Sequence, residues 1–342
     1  MARPTIKDLA AEAQVSVSTV NRVLSGHQKV REVTIQQVLA AAERIGFYGK
    51  HAIEHRLKTK RTQLRFGILL QQEQSSLYKS VGEALKAEAD SYEEVRVELD
   101  VEYMEDLSPE HVASRILAMG ETSDAIAVVA AQHPRISQAV QTVREQGKQV
   151  FAILSALPIA AGTHYIGLDN WKVGRMAGWA IHRLAKAPGP VSLFIGNHRY
   201  RCQEANEIGF RSYFREHAPE FELLDVHSTY ETDQISKDLT ERLLETSPDV
   251  VGLYVAGGGL RGALDAVRDI KPDYPPIVVG HDLSAAHTQG LLDGTLTMLL
   301  ANQVDRLASE TIDAMIRAAS DRNAEMRYER ILPFVTYTRE NI

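Results

Sequence analysis

From Leu64 onward the chain alternates short apolar runs with amphipathic stretches, and this alternation restricts the fold more than any other feature of the sequence. RFGILL, VRVELD and AIAVVA each precede a helical period, near 76–89, 109–119 and 135–146, and QVFAIL closes that series. A second series opens with HYIGL ahead of a helix from Trp171. It continues with PVSLFIG and a helix from Gln203, FELLDVHS and one from Thr232, VVGLYVA and one from Leu260, and PPIVVGHD and one from Ala285. An apolar run of this length is a strand buried on both faces, which requires helices above and below the sheet. Strand–helix alternation over roughly 280 residues therefore predicts parallel sheets, and the length predicts two lobes. Ligands of such sheets bind beyond the carboxyl ends of the strands.

The first sixty residues follow a different period. Thr5 caps a helix with Asp8 at its third position, and Ile6, Leu9, Ala10 and Ala13 recur at helical spacing. Gln14-Val15 breaks it. Ser16 caps a second helix, Val17 to Leu24, with Val20, Val23 and Leu24 inward and Val17, Ser18, Asn21 and Arg22 outward. A third helix runs from about Thr34, with Ile35, Val38, Leu39, Ala42 and Ile45 inward and Gly46 as its stop. Three short helices with a tight first turn predict an all-α helix-turn-helix head, whose second helix has the dimensions to enter a DNA major groove. Charge agrees. Eleven basic and five acidic side chains up to Arg61 give the head +6, leaving −13 for the remainder of a chain whose total is −7. A basic head on an acidic body points to a polyanion partner for the head alone.

TIKDLAAEAQVSVSTVNRVLSG and VTIQQVLAAAERIGFY resemble the head of the lactose/purine repressor family almost position by position. By that resemblance Val17, Ser18 and Arg22 read base edges, Asn21 sits at their margin, and Thr5, Ser16 and Thr34 hold phosphates. The chemistry is compatible: Arg22 presents a fork to guanine and Val17 meets a thymine methyl. Gln14 departs from the family's usual glycine, placing a side chain at a left-handed turn position. Domain bounds follow as 1–48 for the head, 49–62 for a hinge and 63–342 for the body. In the family the hinge folds on DNA and wedges a leucine into the minor groove. The matching residue is Leu57, with Lys58, Lys60 and Arg61 beside it. Gly49-Lys50 and Glu54 depart from the hinge pattern. His51 and His55 have a zinc-compatible spacing, but no third ligand stands nearby, and no metal is expected.

The body resembles periplasmic sugar-binding proteins in IGLDNWKVGRMAGWAI, FIGNHRYRCQEANEIGFRSYF and VVGHDLSAAHTQGLLDGTLTMLLANQ. The resemblance implies a two-lobed periplasmic-binding-protein-like fold and places effector contacts at Asp282, Asn302, Tyr78 and Asp169. Asn206 replaces an arginine usual in the family, with Arg199 and Arg201 upstream, and Arg201 and Asn206 join the expected contacts. Ser155-Ala156 replaces a usual Asp-Arg pair. A strand-end aspartate accepts two sugar hydroxyls, the chemistry a sugar cleft needs. Two alternatives stay open: Asp282 and Asp169 could instead cap the helices that follow. Gly257-Gly258-Gly259 is either a tight strand-to-helix turn or an amide cradle for an anion.

The single cysteine, Cys202, and the absence of an apolar leader or a span-length apolar run point to a soluble cytoplasmic protein. No nucleophile or acid–base set stands at a recognisable spacing, so an enzyme is not expected. No cofactor is implied. A transport receptor would account for the body only. Head, hinge, charge split and body together predict a repressor-type transcriptional regulator. It would be a homodimer on palindromic operator DNA, controlled by a sugar or polyol, or by a sugar phosphate in the alternative reading, with no membrane partner.

Overall fold

Three helices form where the apolar spacing of the head predicts them. The computed structural model describes residues 4–25, 30–48, 62–93, 95–158, 163–320 and 328–342. In α1 (Ile6–Glu12) the Thr5 hydroxyl accepts from the Asp8 N–H, while the Asp8 carboxylate accepts from the Thr5 N–H at 2.7 Å. These bonds hold the Asp8 carboxyl below its ordinary value. Gln14 adopts φ +51° at the turn, the left-handed position the sequence marks. Ser16 Oγ then accepts the Thr19 N–H at 3.1 Å and starts α2 (Val17–Ser25). α3 (Glu32–Ile45) begins two residues before Thr34, on Arg31, and ends on Gly46 at φ +64°. Leu9, Val20, Val23, Ile35, Val38, Ala42 and Phe47 close one buried core. Each large aliphatic there contributes ~1.5–3 kcal/mol of burial energy.

The chain divides into Met1–Gln63 with Tyr92–Arg96, and Leu64–Ser91 with Val97–Ile342. Two sheets make up the second unit. The first lobe has strands β1 (Thr62–Gln71), β2 (Val95–Met104), β3 (Ala125–Val128), β4 (Gln149–Ile153) and β5 (His164–Leu168). With β12 (Glu329–Leu332) they form a sheet of order β12-β5-β4-β3-β1-β2. Its helices are α4 (Ser76–Ser91), α5 (Pro109–Thr122), α6 (Pro134–Glu145) and α12 (Val304–Ser320). The second lobe begins with α7 (Asn170–Leu184). Strands β6 (Pro190–Ile195), β7 (Glu222–Leu223), β9 (Gly252–Val255), β10 (Ile277–His281), β11 (Met298–Ala301) and β13 (Val335–Tyr337) give the order β13-β11-β10-β9-β6-β7. β8 (His227–Ser228) also pairs with β6. Around them lie α8 (Arg201–His217), α9 (Asp233–Thr246), α10 (Leu260–Ile270) and α11 (Ala285–Asp293).

Three differences from the sequence reading arise from long-range pairing. HYIGL belongs to the first lobe, where β5 pairs parallel to β4 (Ile153↔Ile166) and to β12 (Ile331↔Gly167). FELLDVHS splits in two, because pairing passes from Val191↔Leu223 to Phe194↔His227. One extra residue on the partner side of β6 makes a bulge that breaks the run. The tail returns β12 to the first sheet and sets β13 antiparallel on β11 in the second. The chain thus crosses between lobes after Leu168, after Ala301 and after Leu332. β3, β5, β9 and β11 are buried along their whole length, with His164 on β5 and Ser192 on β6 as buried polar side chains.

Candidate functional site

A cleft of about 590 Å³ lies between the lobes, lined by the residues that follow the strands. β1 ends in Gln71 and leads to Tyr78 on α4, while β4 leads to Ser155 and β5 to Asn170. From the second lobe, β6 leads to Tyr200, Gln203 and Asn206, and β8 to Glu231. β9 leads to Gly257–Gly259, β10 to Asp282 and β11 to Asn302. This is the position that parallel sheets reserve for ligands, because the strand ends and following helix N-termini expose polar groups there. Hydrogen bonds already link the lobes: Gln71 Nε2 donates to Tyr200 Oη at 2.7 Å, and the Gln132 N–H donates to the Arg199 carbonyl at 2.8 Å.

Tyr78, Asn206, Asp282 and Asn302, four of the six expected effector contacts, line the cleft together. Asp282 stands at φ +55°, and its Oδ1 accepts from both the backbone N–H and the Nδ2 of Asn302, at 3.1 and 2.9 Å. Capping of the following helix falls instead to Ser284, whose Oγ accepts the His287 N–H. Asn206 is buried, and its Oδ1 has no hydrogen-bond partner. Asp169 takes the capping alternative: its carboxylate accepts the Lys172 N–H at 3.2 Å at the start of α7 and pairs with Lys172 Nζ. The cleft wall at that crossover is Leu168 and Asn170. Arg201 opens α8 as an exposed residue, while Cys202, Gln203 and Asn206 line the cleft from that helix. Arg199 lies on a 150 Å³ side pocket with His133, Tyr230 and Glu231.

The principal residue the sequence reading missed is Glu231. Its two carboxylate oxygens accept from Gln203 Nε2 and from the Gly258 N–H. Tyr230 and Glu231 both adopt left-handed backbone, φ +50° and +59°. Two successive non-glycine residues there store strain, which the bonds to Gln203 and Gly258 offset. The glycine run is explained by the same contact. A side chain on Gly258 would collide with the Glu231 carboxylate, one on Gly257 would meet the backbone of Gly196, and Gly259 needs φ +98° to start α10. Of the three amides that an anion cradle would use, the Gly258 N–H is already taken by a protein carboxylate. Burial, with the nearby Asp282 charge adding to it, raises the Glu231 carboxyl above its ordinary value. Burial pushes Cys202 up to about 11, leaving an unreactive thiol. It also lowers His281, which meets Tyr254 Oη at 2.6 Å.

On the head, Val17, Ser18, Asn21 and Arg22 share the exposed side of α2, with Val17 40% exposed. Arg22 has no ion pair among the described residues, so its guanidinium is available to a partner. Thr5 and Ser16 are exposed at the starts of α1 and α2, as phosphate contacts require, while Thr34 is half-buried in the first turn of α3. Leu57 and the expected hinge over 49–61 lie outside the described residues, and Thr62, the last residue assigned to the hinge, already opens β1.

These features define a two-lobed α/β binding protein with a helix-turn-helix ahead of it in sequence. Residues 66–323 match the periplasmic binding protein domain family, and residues 5–49 match the lacI family of bacterial regulatory proteins. The chain belongs to the periplasmic binding protein domain family and carries a lacI-family regulatory head. It is 40% identical over 77 residues to the HTH-type transcriptional regulator RegA of Clostridium saccharobutylicum, a stretch covering 22% of this chain and 23% of that relative. Two transporter solute-binding proteins share the fold of the body. One, from Burkholderia graminis in complex with D-arabinose, has a TM-score of 0.75 at 13% identity, over 82% of this chain and 97% of that one. The other, from Actinobacillus succinogenes with bound D-allose, has a TM-score of 0.73 at 17% identity, over 81% and 98%. Among the described residues no helix is long and apolar enough to cross a membrane.

Proposed function

We propose that this protein is a cytoplasmic transcriptional regulator, a repressor that binds palindromic operator DNA as a homodimer and responds to a small polyhydroxylated effector held between its lobes. The observation that carries the reading is the joining, in one chain, of an exposed Val17–Ser18–Asn21–Arg22 helix face to a polar interlobe cleft. The ligands bound by the fold neighbours, D-arabinose and D-allose, support a sugar or polyol as the effector class. Cleft chemistry supports it too: Asn170, Asn206, Asp282 and Asn302 offer the planar polar groups that sugar hydroxyls engage. A sugar phosphate fits poorly, because Arg261 is the only arginine or lysine among the described lining residues and is paired to Asp233 at 2.6 Å. Effector binding would couple to the head by favouring one lobe arrangement, with a coupling of about 1–3 kcal/mol.

The test starts from an operator selected by the full-length protein from a random-sequence DNA pool. Fluorescence anisotropy on that operator should show Arg22→Ala losing affinity about 10–100-fold, the equivalent of one bidentate base contact of ~1–3 kcal/mol. Binding to unrelated DNA should change far less. An equal loss on both DNAs would assign Arg22 to phosphate, and failure to select any sequence would overturn the regulator reading.

A further inference from the structure

The charges around the cleft do not balance. Glu231, Asp233 and Asp282 line it. Asp233 is neutralised by Arg261, but Glu231 and Asp282 have no cationic partner among the described residues. Their hydrogen-bond donors are neutral: Gln203 Nε2 and the Gly258 N–H for one, the Asn302 backbone and side-chain N–H groups for the other. Each carboxylate also retains free lone pairs, since all the bonds to Asp282 fall on Oδ1 and each oxygen of Glu231 takes one bond.

A ligand that fills the cleft displaces the water screening these charges. If that ligand is neutral, two dehydrated negative charges stay uncompensated, an arrangement proteins avoid because desolvation disfavours the ionised form. If it is anionic, repulsion adds to that cost. Protonation of Glu231, which burial favours, removes one of these charges, whereas a cationic ligand compensates both. Asn206 supplies an independent sign of an absent donor: its buried Oδ1 faces no partner, although it lines the same cleft. An acceptor left unpaired in a buried position is costly unless a ligand N–H or O–H completes it. Among the described residues no group of three or more His, Cys, Asp and Glu is placed to hold a metal ion, and a cleft of about 590 Å³ has room for an organic cation.

We propose that the effector is a polyhydroxylated amine, an amino sugar or aminocyclitol, whose ammonium group sits between Glu231 and Asp282 and whose hydroxyls engage Asn170, Asn206 and Asn302. This rests on the polyol reading of the cleft and refines it. The second lobe thus reads the charge of the ligand, and the glycines at 196 and 258 leave the room that the Glu231 carboxylate fills.

Titration calorimetry of the full-length protein at pH 7 tests it with glucosamine, galactosamine and mannosamine, their N-acetyl derivatives, the parent hexoses and putrescine. At least one amino sugar is expected to bind tenfold or more tightly than both its parent and its N-acetyl form. Asp282→Asn keeps the shape and the Oδ1 acceptor that Asn302 uses, Glu231→Gln keeps the shape and one of its two acceptors, and each should bring the amine-to-parent ratio close to one. Parent hexoses binding as well as the amines would overturn the charge assignment and leave the polyol reading standing. A ratio unchanged in both variants would move the ammonium away from these carboxylates. Putrescine matching the amino sugars would remove the hydroxyl contacts, and no binding by any probe would overturn this proposal together with the polyol reading.

Discussion

Both lobes end their strands at the cleft, yet they line it with different chemistry. The first lobe presents Gln71, Ser155, Tyr78 and, at the crossover, Asn170, all neutral; every charged lining residue comes from the second lobe. Neutral hydrogen bonds exchange with water at little net cost, about 0.5–1.5 kcal/mol each. Carboxylates in a closed cleft do not, since leaving one unpaired costs more. On the proposed reading, the second lobe supplies the charged contacts to the effector and the first lobe the neutral ones. Left-handed backbone occurs on both sides of the cleft, at Leu154 from the first lobe and at Glu231 and Asp282 from the second.

The comparison can be broken most directly at Asp282. Asp282→Ala removes a charged acceptor bonded to two Asn302 donors, and losing such a bond costs ~1.5–3 kcal/mol. Effector affinity should fall about 10–100-fold by calorimetry; a change below threefold would take the grip away from the second lobe. Gln71→Ala should matter less, because it removes one neutral bond to Tyr200 and leaves the strands intact. Affinity should fall less than tenfold, and small-angle scattering should show a more open free protein. An unchanged scattering profile would mean that this bond does not hold the lobes. The smallest effect is expected at Asp169. Asp169→Ala removes the cap of α7, about 1 kcal/mol of stability, readable as a lower thermal midpoint. Ligand affinity should not move, and a fall would return Asp169 to the cleft.

What the sequence determined by itself is local. Family resemblance rather than local pattern pointed to Gln14, Asp282 and Asn302, whereas apolar runs marked the strands and Thr5, Ser16 and Gly46 marked helix ends. Each local signal depends on neighbours within a turn or one strand, so periodicity and capping chemistry expose it. Choosing between a cap and a ligand was beyond that range. Asp169 and Asp282 both follow apolar strands, but Lys172 and the α7 backbone take the first, while Asn302, 20 residues away, takes the second. Only the tertiary structure gave HYIGL to the first sheet and split FELLDVHS. It alone carried Glu231 into the glycine turn through bonds 27 and 28 residues distant, and joined Gln71 to Tyr200 across 129 residues. Those contacts depend on which strands pair and on a left-handed backbone that no glycine advertises at 230–231, so no local pattern in the chain encodes them.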